Sequence, residues 1–209
     1  IYMGDWSSDV CSSDLFSGRM GGLKDCAGNP KAAVPNDRIY VVDTKTHKPV
    51  ATIVTGPAPR PVTVTRDGSR LYANVDGLLG IKVLDLNARK VIEVAEYPLT
   101  ADEKALASRT HGIWITPDQK QVWSTDVNHN LVFVYDRTSD PIRYVARVAT
   151  GKGPYWITFS PDGKYGYSSN QMDATVSVID VATHKEIARI NLPTGSVPKT
   201  SLAFNVPVE

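Results

Sequence analysis

The sequence predicts an all-β fold, a β-propeller of four-stranded antiparallel blades that is incomplete. Three observations predict it. A fixed order of short strands and turns returns along the chain, the aspartates that end one strand of each copy recur at blade-length spacing, and no segment carries a long helical period. The fullest copy is 154–190, PYWITFSPDGKYGYSSNQMDATVSVIDVATHKEIARI: a strand, a Pro-Asp-Gly turn, a strand, a polar loop, an alternating strand ending in Asp180, a short turn and a last strand. Such an order is an antiparallel four-stranded meander.

The order returns at 110–148, with the turn at Pro117 and Asp118 and the strand-ending Asp136, and at 59–94 with Asp67, Gly68 and Asp85. A partial copy, YVVDTKTHKPVATI at 40–53, supplies the outer two strands around Asp43. Asp43, Asp85, Asp136 and Asp180 lie 42, 51 and 44 residues apart, the period of propeller blades. The long interval holds an insertion, PLTADEKALASR at 98–109. Its Ala, Leu, Glu and Lys predict a helical turn or two. The blades are thus expected at 37–56 (partial), 59–97, 110–151 and 154–195, with one more inner strand at 197–206.

The first fifteen residues, IYMGDWSSDVCSSDL, show neither a period of two nor one of 3.6. They resemble translated sequencing adapter, with a genuine disordered leader as the alternative, and the domain is read without them; residues 16–36 are expected to be an irregular remnant of a truncated blade. Without the leader, acids fall from 22 to 19 against 23 bases, for a net charge of about +4, and Cys26 is the one remaining cysteine. A disulfide framework within the chain is therefore not expected. The formal charge of the whole chain, +1, gives no reason to expect nucleic acid, and no apolar run approaches the ~20 residues that span a bilayer.

The phrases FSPDGKYGYSSN (159–170) and VSVIDVATHKEIARI (176–190) resemble those of the YVTN-repeat β-propeller family, over residues 37 to about 204. The resemblance implies seven blades, of which this chain would hold about four, and export to the periplasm or cell surface. It is weaker at 110–148, where Gln119 replaces the turn glycine and a different hairpin is expected.

The repeated aspartates tempt a catalytic reading. An Asp at the same turn of every blade is the expected result of side-chain to backbone hydrogen bonding, and His47 and His184 sit in the equivalent turns. Trp114, Trp123 and Trp156 read as core or inter-blade packing. More informative are equivalent positions that differ. Seven residues before each turn Asp stand Arg60, His111 and Tyr155, and the final strand adds Lys199. In a propeller these begin the inner strands, at the mouth of the central channel. Arg109, at the end of the insertion, belongs there, as do the loops with Asp126, Asn128 and His129 and with Asn170 and Asp173.

The cations Arg60, Arg109 and Lys199 favour an anion such as a carboxylate or phosphate. His111 and His129 make a weak metal signal, without a nearby Cys or a defined carboxylate spacing. There is no G-x-S-x-G, H-E-x-x-H, Walker loop or Cys-x-x-Cys-His, so no catalytic residue and no cofactor is expected. Two functions stay open. One is a non-enzymatic domain binding a small anionic ligand or a protein partner at the funnel face. The other, implied by relatives of the resembled family, is a lactonase-like hydrolase or a haem-binding propeller of an oxidoreductase, with His111 as base or axial ligand.

Overall fold

The computed structural model describes residues 13–17, 37–200 and 203. Its strands are β1 (Ser13–Ser17), β2 (Arg38–Asp43), β3 (Lys48–Val54), β4 (Val62–Val64), β5 (Arg70–Ala73), β6 (Gly80–Asp85), β7 (Lys90–Glu96), β8 (Thr110–Ile115), β9 (Gln121–Asp126), β10 (Leu131–Asp136), β11 (Arg143–Ala149), β12 (Pro154–Phe159), β13 (Tyr165–Asn170), β14 (Thr175–Asp180) and β15 (Lys185–Asn191). They form one three-stranded sheet, β1-β2-β3, and three four-stranded meanders, β4–β7, β8–β11 and β12–β15. Inner strands β4, β8 and β12 touch in sequence, while outer strands meet as the pairs β3/β7 and β11/β15. This is the radial order of propeller blades, here as an incomplete ring. The residues called a leader are described only from 13 onward, in β1, which pairs with β2; of the remnant at 16–36, all beyond Ser17 lies outside the described residues.

The core consists of inter-blade layers. Ile39, Ile53, Leu71 and Leu84 join the first two blades. Tyr72, Ile81, Tyr97, Ile113, Phe133 and Tyr135 join the second and third. Trp123, Val132, Val134, Ile157, Phe159 and Ile179 join the third and fourth. Because a middle strand is covered on both faces, β10 reads LVFVYD with four consecutive buried residues, whereas outer strand β11 is mostly exposed. Apolar burial at ~25 cal/mol per Å² holds these layers. Each outer pair carries the same register shift, at Val41/Val42, Val83/Leu84, Val134/Tyr135 and Val178/Ile179, so the blades share a bulge as well as an order of strands.

The repeated aspartates hold turns. Oδ1 of Asp43 accepts from the Lys45 and Thr46 amides, that of Asp85 from Ala88, that of Asp136 from Thr138 and that of Asp180 from Thr183. His47 and His184, both at φ 54°, occupy the left-handed position of these turns.

One expectation is corrected. Gln119 makes the same hairpin as the glycines it replaces: its φ of 62° matches Gly68 (68°) and Gly163 (72°), and its amide donates to Thr116 O at 2.8 Å as theirs do to Thr65 and Ser160. Asp118 accepts from Thr116 Oγ1 at 2.7 Å, and the Gln119 side chain accepts from the Arg66 amide at 2.9 Å. The side-chain bonds of Gln119, to the Arg66 amide and the Thr116 carbonyl, act against the roughly 1–2 kcal/mol that a left-handed non-glycine residue costs. The insertion forms helix α1 (Ala101–Ala105), started by a capping box between Thr100 and Glu103.

Candidate functional site

Arg60, His111 and Tyr155 lie at the start of the inner strands, where antiparallel pairing also places the ends of β5, β9 and β13. His111 and Tyr155 are stacked, with ring centroids 3.6 Å apart and planes at 24°. The Tyr155 carbonyl lies 2.9 Å from His111 Nδ1; a carbonyl only accepts, so Nδ1 carries the proton and Nε2 keeps its lone pair. The Arg109 guanidinium stands over the other ring, 5.6 Å from the Tyr155 centroid. Burial pushes His111 down to about 4, the Tyr155 carbonyl opposes that shift, and the charges of Arg109 and Arg60 reinforce it. At neutral pH the imidazole is uncharged.

A buried chain of polar groups fixes this arrangement. Tyr97 Oη donates to Ser124 Oγ at 2.6 Å, Ser124 Oγ to Asn74 Oδ1 at 3.0 Å, and Asn74 Nδ2 to the His111 carbonyl at 2.8 Å. Gly112 lets β8 and β12 approach: a Cβ there would lie 2.8 Å from Trp156 Cα and 2.9 Å from Ile157 N. Its amide donates to Thr125 Oγ1 at 2.7 Å.

The insertion is tied to the same rim. The buried His129 ring places Nδ1 2.8 Å from Asp126 Oδ2 and Nε2 2.7 Å from the Glu103 carbonyl. Ser108 Oγ donates to Asp126 Oδ1, Asn128 Nδ2 donates to the Ala107 carbonyl at 2.6 Å, and Arg147 pairs with Glu103 at 2.7 Å. Arg109 leaves this clamp directly before β8. His129 therefore serves as a clasp with both ring nitrogens engaged. Among the described residues no group of three or more His, Cys, Asp or Glu is placed to hold a metal ion.

Arg60 is half-buried. Its Nη2 lies 3.6 Å from Asp76 Oδ2, while its Nε is buried without a hydrogen-bond partner. Asp76, in the Asp76-Gly77 turn after β5, is a carboxylate of the mouth that sequence reasoning missed, although its loop is equivalent to those of Asp126 and Asn170. Lys199 is exposed in an irregular segment, and no described contact joins it to Arg60, His111 or Tyr155. Residues 197–200 form no strand, and of 201–206 only residue 203 is described. Asn170 and Asp173 form a separate polar knot with Thr175 and Ser177. Trp123 is fully buried, and Trp114 and Trp156 meet between neighbouring blades with centroids 6.2 Å apart, although Trp114 stays 37% exposed.

A family model described as "Lactonase, 7-bladed beta-propeller" matches residues 81–200. The chain belongs to this family. Among curated proteins, it is 29% identical over 135 residues to an uncharacterised protein of Staphylococcus epidermidis, covering 60% of this chain and 40% of that one. It is 28% identical over 166 residues to antigen Lp49 of Leptospira interrogans, covering 77% of this chain and 35% of that one. This lactonase-family chain thus spans 35–40% of the length of these relatives. Among solved structures, hydrazine synthase of Kuenenia stuttgartiensis superposes with a TM-score of 0.63 at 22% identity, over 75% of this chain and 44% of that one. That likeness shows the propeller fold.

Proposed function

We propose that the mouth binds a small hydroxy-carboxylate. The observation that carries this reading is the buried, unpartnered Nε–H of Arg60. A buried donor left unmade costs about 1–3 kcal/mol, and an anionic oxygen is the acceptor that a guanidinium takes most favourably. Arg109 adds a second cation at the rim. The neutral His111 adds no charge to desolvate and offers Nε2 to a ligand hydroxyl.

A second reading, lactone hydrolysis, is favoured by the family match. Water would add to a lactone carbonyl polarised by Arg60, and the ring C–O bond would open to a hydroxy acid, the same class of ligand. His111 Nε2 is the candidate base. Held at about 4, it is a weak one at neutral pH, which places binding first. The blade phrases that resemble YVTN-repeat propellers also support export to the periplasm or cell surface.

The test is calorimetric titration of the full chain with 5-hydroxypentanoate, alongside pH-stat hydrolysis of δ-valerolactone. Binding that falls at least tenfold in Arg60→Glu, with no turnover above buffer, supports the binding domain. Turnover that His111→Ala abolishes establishes the hydrolase instead. Neither binding nor turnover would sink both.

A further inference from the structure

A cavity of about 480 Å³ lies at the end of the strands opposite the mouth, between the second and third blades. Arg70, Glu93, Arg137, Ser139, Asp140 and Ile142 are among its lining residues. The repeat is broken at this place. Glu93 pairs across the sheet with Val83, and the equivalent residues of the other three blades, Ala51, Ala146 and Ala188, pair with Val41, Val134 and Val178. A carboxylate thus stands where every other blade has a methyl group. Arg137 follows the strand-ending Asp136 where two other blades carry Leu86 and Val181. The connection it begins has six residues, 137–142, in place of the four of 44–47, 86–89 and 181–184.

Packing engages the arginines of this cavity but leaves acceptors over. Arg70 is committed to Asp85, and Arg137 to Tyr72 Oη and the Gln119 carbonyl. Glu93 Oε2 accepts from the Ile142 amide at 3.1 Å. Its carboxyl is raised by burial and further by the negative charge of Asp140, against that one hydrogen bond. Asp140 is largely exposed at the rim, with Arg70 no nearer than 3.8 Å. The Ser139 hydroxyl oxygen is buried with no hydrogen-bond partner. Besides Asp85, which is paired with Arg70, two carboxylates and an orphaned hydroxyl therefore border one space whose arginines are already engaged. Val83, Ile92 and Ile142 supply apolar wall beside them.

We propose that this inter-blade cavity binds a primary alkylammonium. Its three N–H groups are taken by Glu93, Asp140 and Ser139 Oγ, and its aliphatic stem lies along Val83, Ile92 and Ile142. An ammonium carries three donors and no acceptor, which matches an acceptor-rich pocket, and a charge-assisted bond to a half-buried carboxylate is the stronger kind. The site is distinct from the mouth and does not depend on what the mouth binds.

The test uses pentylamine and its neutral counterpart 1-pentanol, each followed by saturation-transfer NMR on the full chain. Pentylamine is expected to bind and 1-pentanol to bind at least tenfold more weakly. Glu93→Gln keeps an oxygen for the Ile142 amide and removes the charge, and should weaken pentylamine at least tenfold with an unchanged melting temperature. Glu93→Ala, the residue of the other blades, is the second variant and should lose binding as well. Equal binding of the alcohol, undiminished binding by Glu93→Gln, or no pentylamine binding to the unaltered chain would each overturn the proposal.

Discussion

The His111 ring lies on the Tyr155 ring at 3.6 Å while its Nδ1 is bonded to the Tyr155 backbone carbonyl at 2.9 Å. One residue of β12 thus fixes both the plane and the tautomer of a side chain from the neighbouring blade. The acid–base behaviour of His111 is therefore a property of the joint between two blades.

The pH dependence of stability follows from this joint. His111 lies near 4 when folded, against 6.5 unfolded, so protons bind the unfolded chain more tightly. Its neutral form is fully compatible with the fold above pH 6.5, and stability falls as pH drops from 6.5 towards 4. At about 1.4 kcal/mol per unit, discounted for partial exposure, the loss is on the order of 2 kcal/mol. Several aspartates lowered by turn hydrogen bonds act in the same direction at lower pH. The measurement is therefore the difference between the unaltered chain and His111→Gln. Urea unfolding at pH 7 and pH 4.5 should show a smaller loss in the variant.

Gly112→Ala forces a methyl against the backbone of β12, at 2.8 Å from Trp156 Cα. Main chain cannot swing aside as a side-chain tip does, so the strands must separate, at a cost of about 1–3 kcal/mol. The His111–Tyr155 contact should loosen with them. In an NMR titration the His111 pKa of this variant is expected to rise from about 4 back towards 6.5.

Asp126→Ala removes the acceptor shared by His129 and Ser108. Two partners of a buried carboxylate are then left unsatisfied, at about 1–3 kcal/mol each, and the clamp on α1 opens. Limited proteolysis should cut within 101–108 faster than in the unaltered chain. Unchanged cleavage would mean that the insertion is held by Asn128 and Arg147 alone.

Asp180→Ala tests the structural assignment of the repeated aspartates. It removes the acceptor for the Thr183 amide and hydroxyl, and a loss of roughly 1 kcal/mol is expected in thermal unfolding. Binding of 5-hydroxypentanoate at the mouth should not change.

The architecture was legible because each blade repeats the same local chemistry: strand, Thr/Ser-x-Asp turn, strand, polar loop, strand ending in Asp. Arg60, His111 and Tyr155 were legible by counting back from the turn Asp, since register carries them to the same rim. Gln119 was misjudged because its side chain bonds the Arg66 amide of the neighbouring blade and the Thr116 carbonyl, contacts that the hairpin sequence alone does not show. Asp76 was passed over because the Asp76-Gly77 pair reads as a turn signal, and only the contact of its carboxylate with Arg60 marks it as part of the mouth. Lys199 had no turn Asp to count from. Glu93 was in principle visible, as the one carboxylate in a column of alanines, but its significance requires the cavity that the next blade builds over it.

If the buried Nε–H of Arg60 takes an anionic oxygen at the mouth, its own NMR signal must report the event. In a chain labelled with ¹⁵N-arginine, 5-hydroxypentanoate should shift the Arg60 Nε–H resonance saturably, with Arg70 and Arg137 unmoved; the signal is assigned by its absence in Arg60→Met. An Arg60 resonance that stays in place while the ligand binds, or shifts spread evenly over all arginines, would contradict the account.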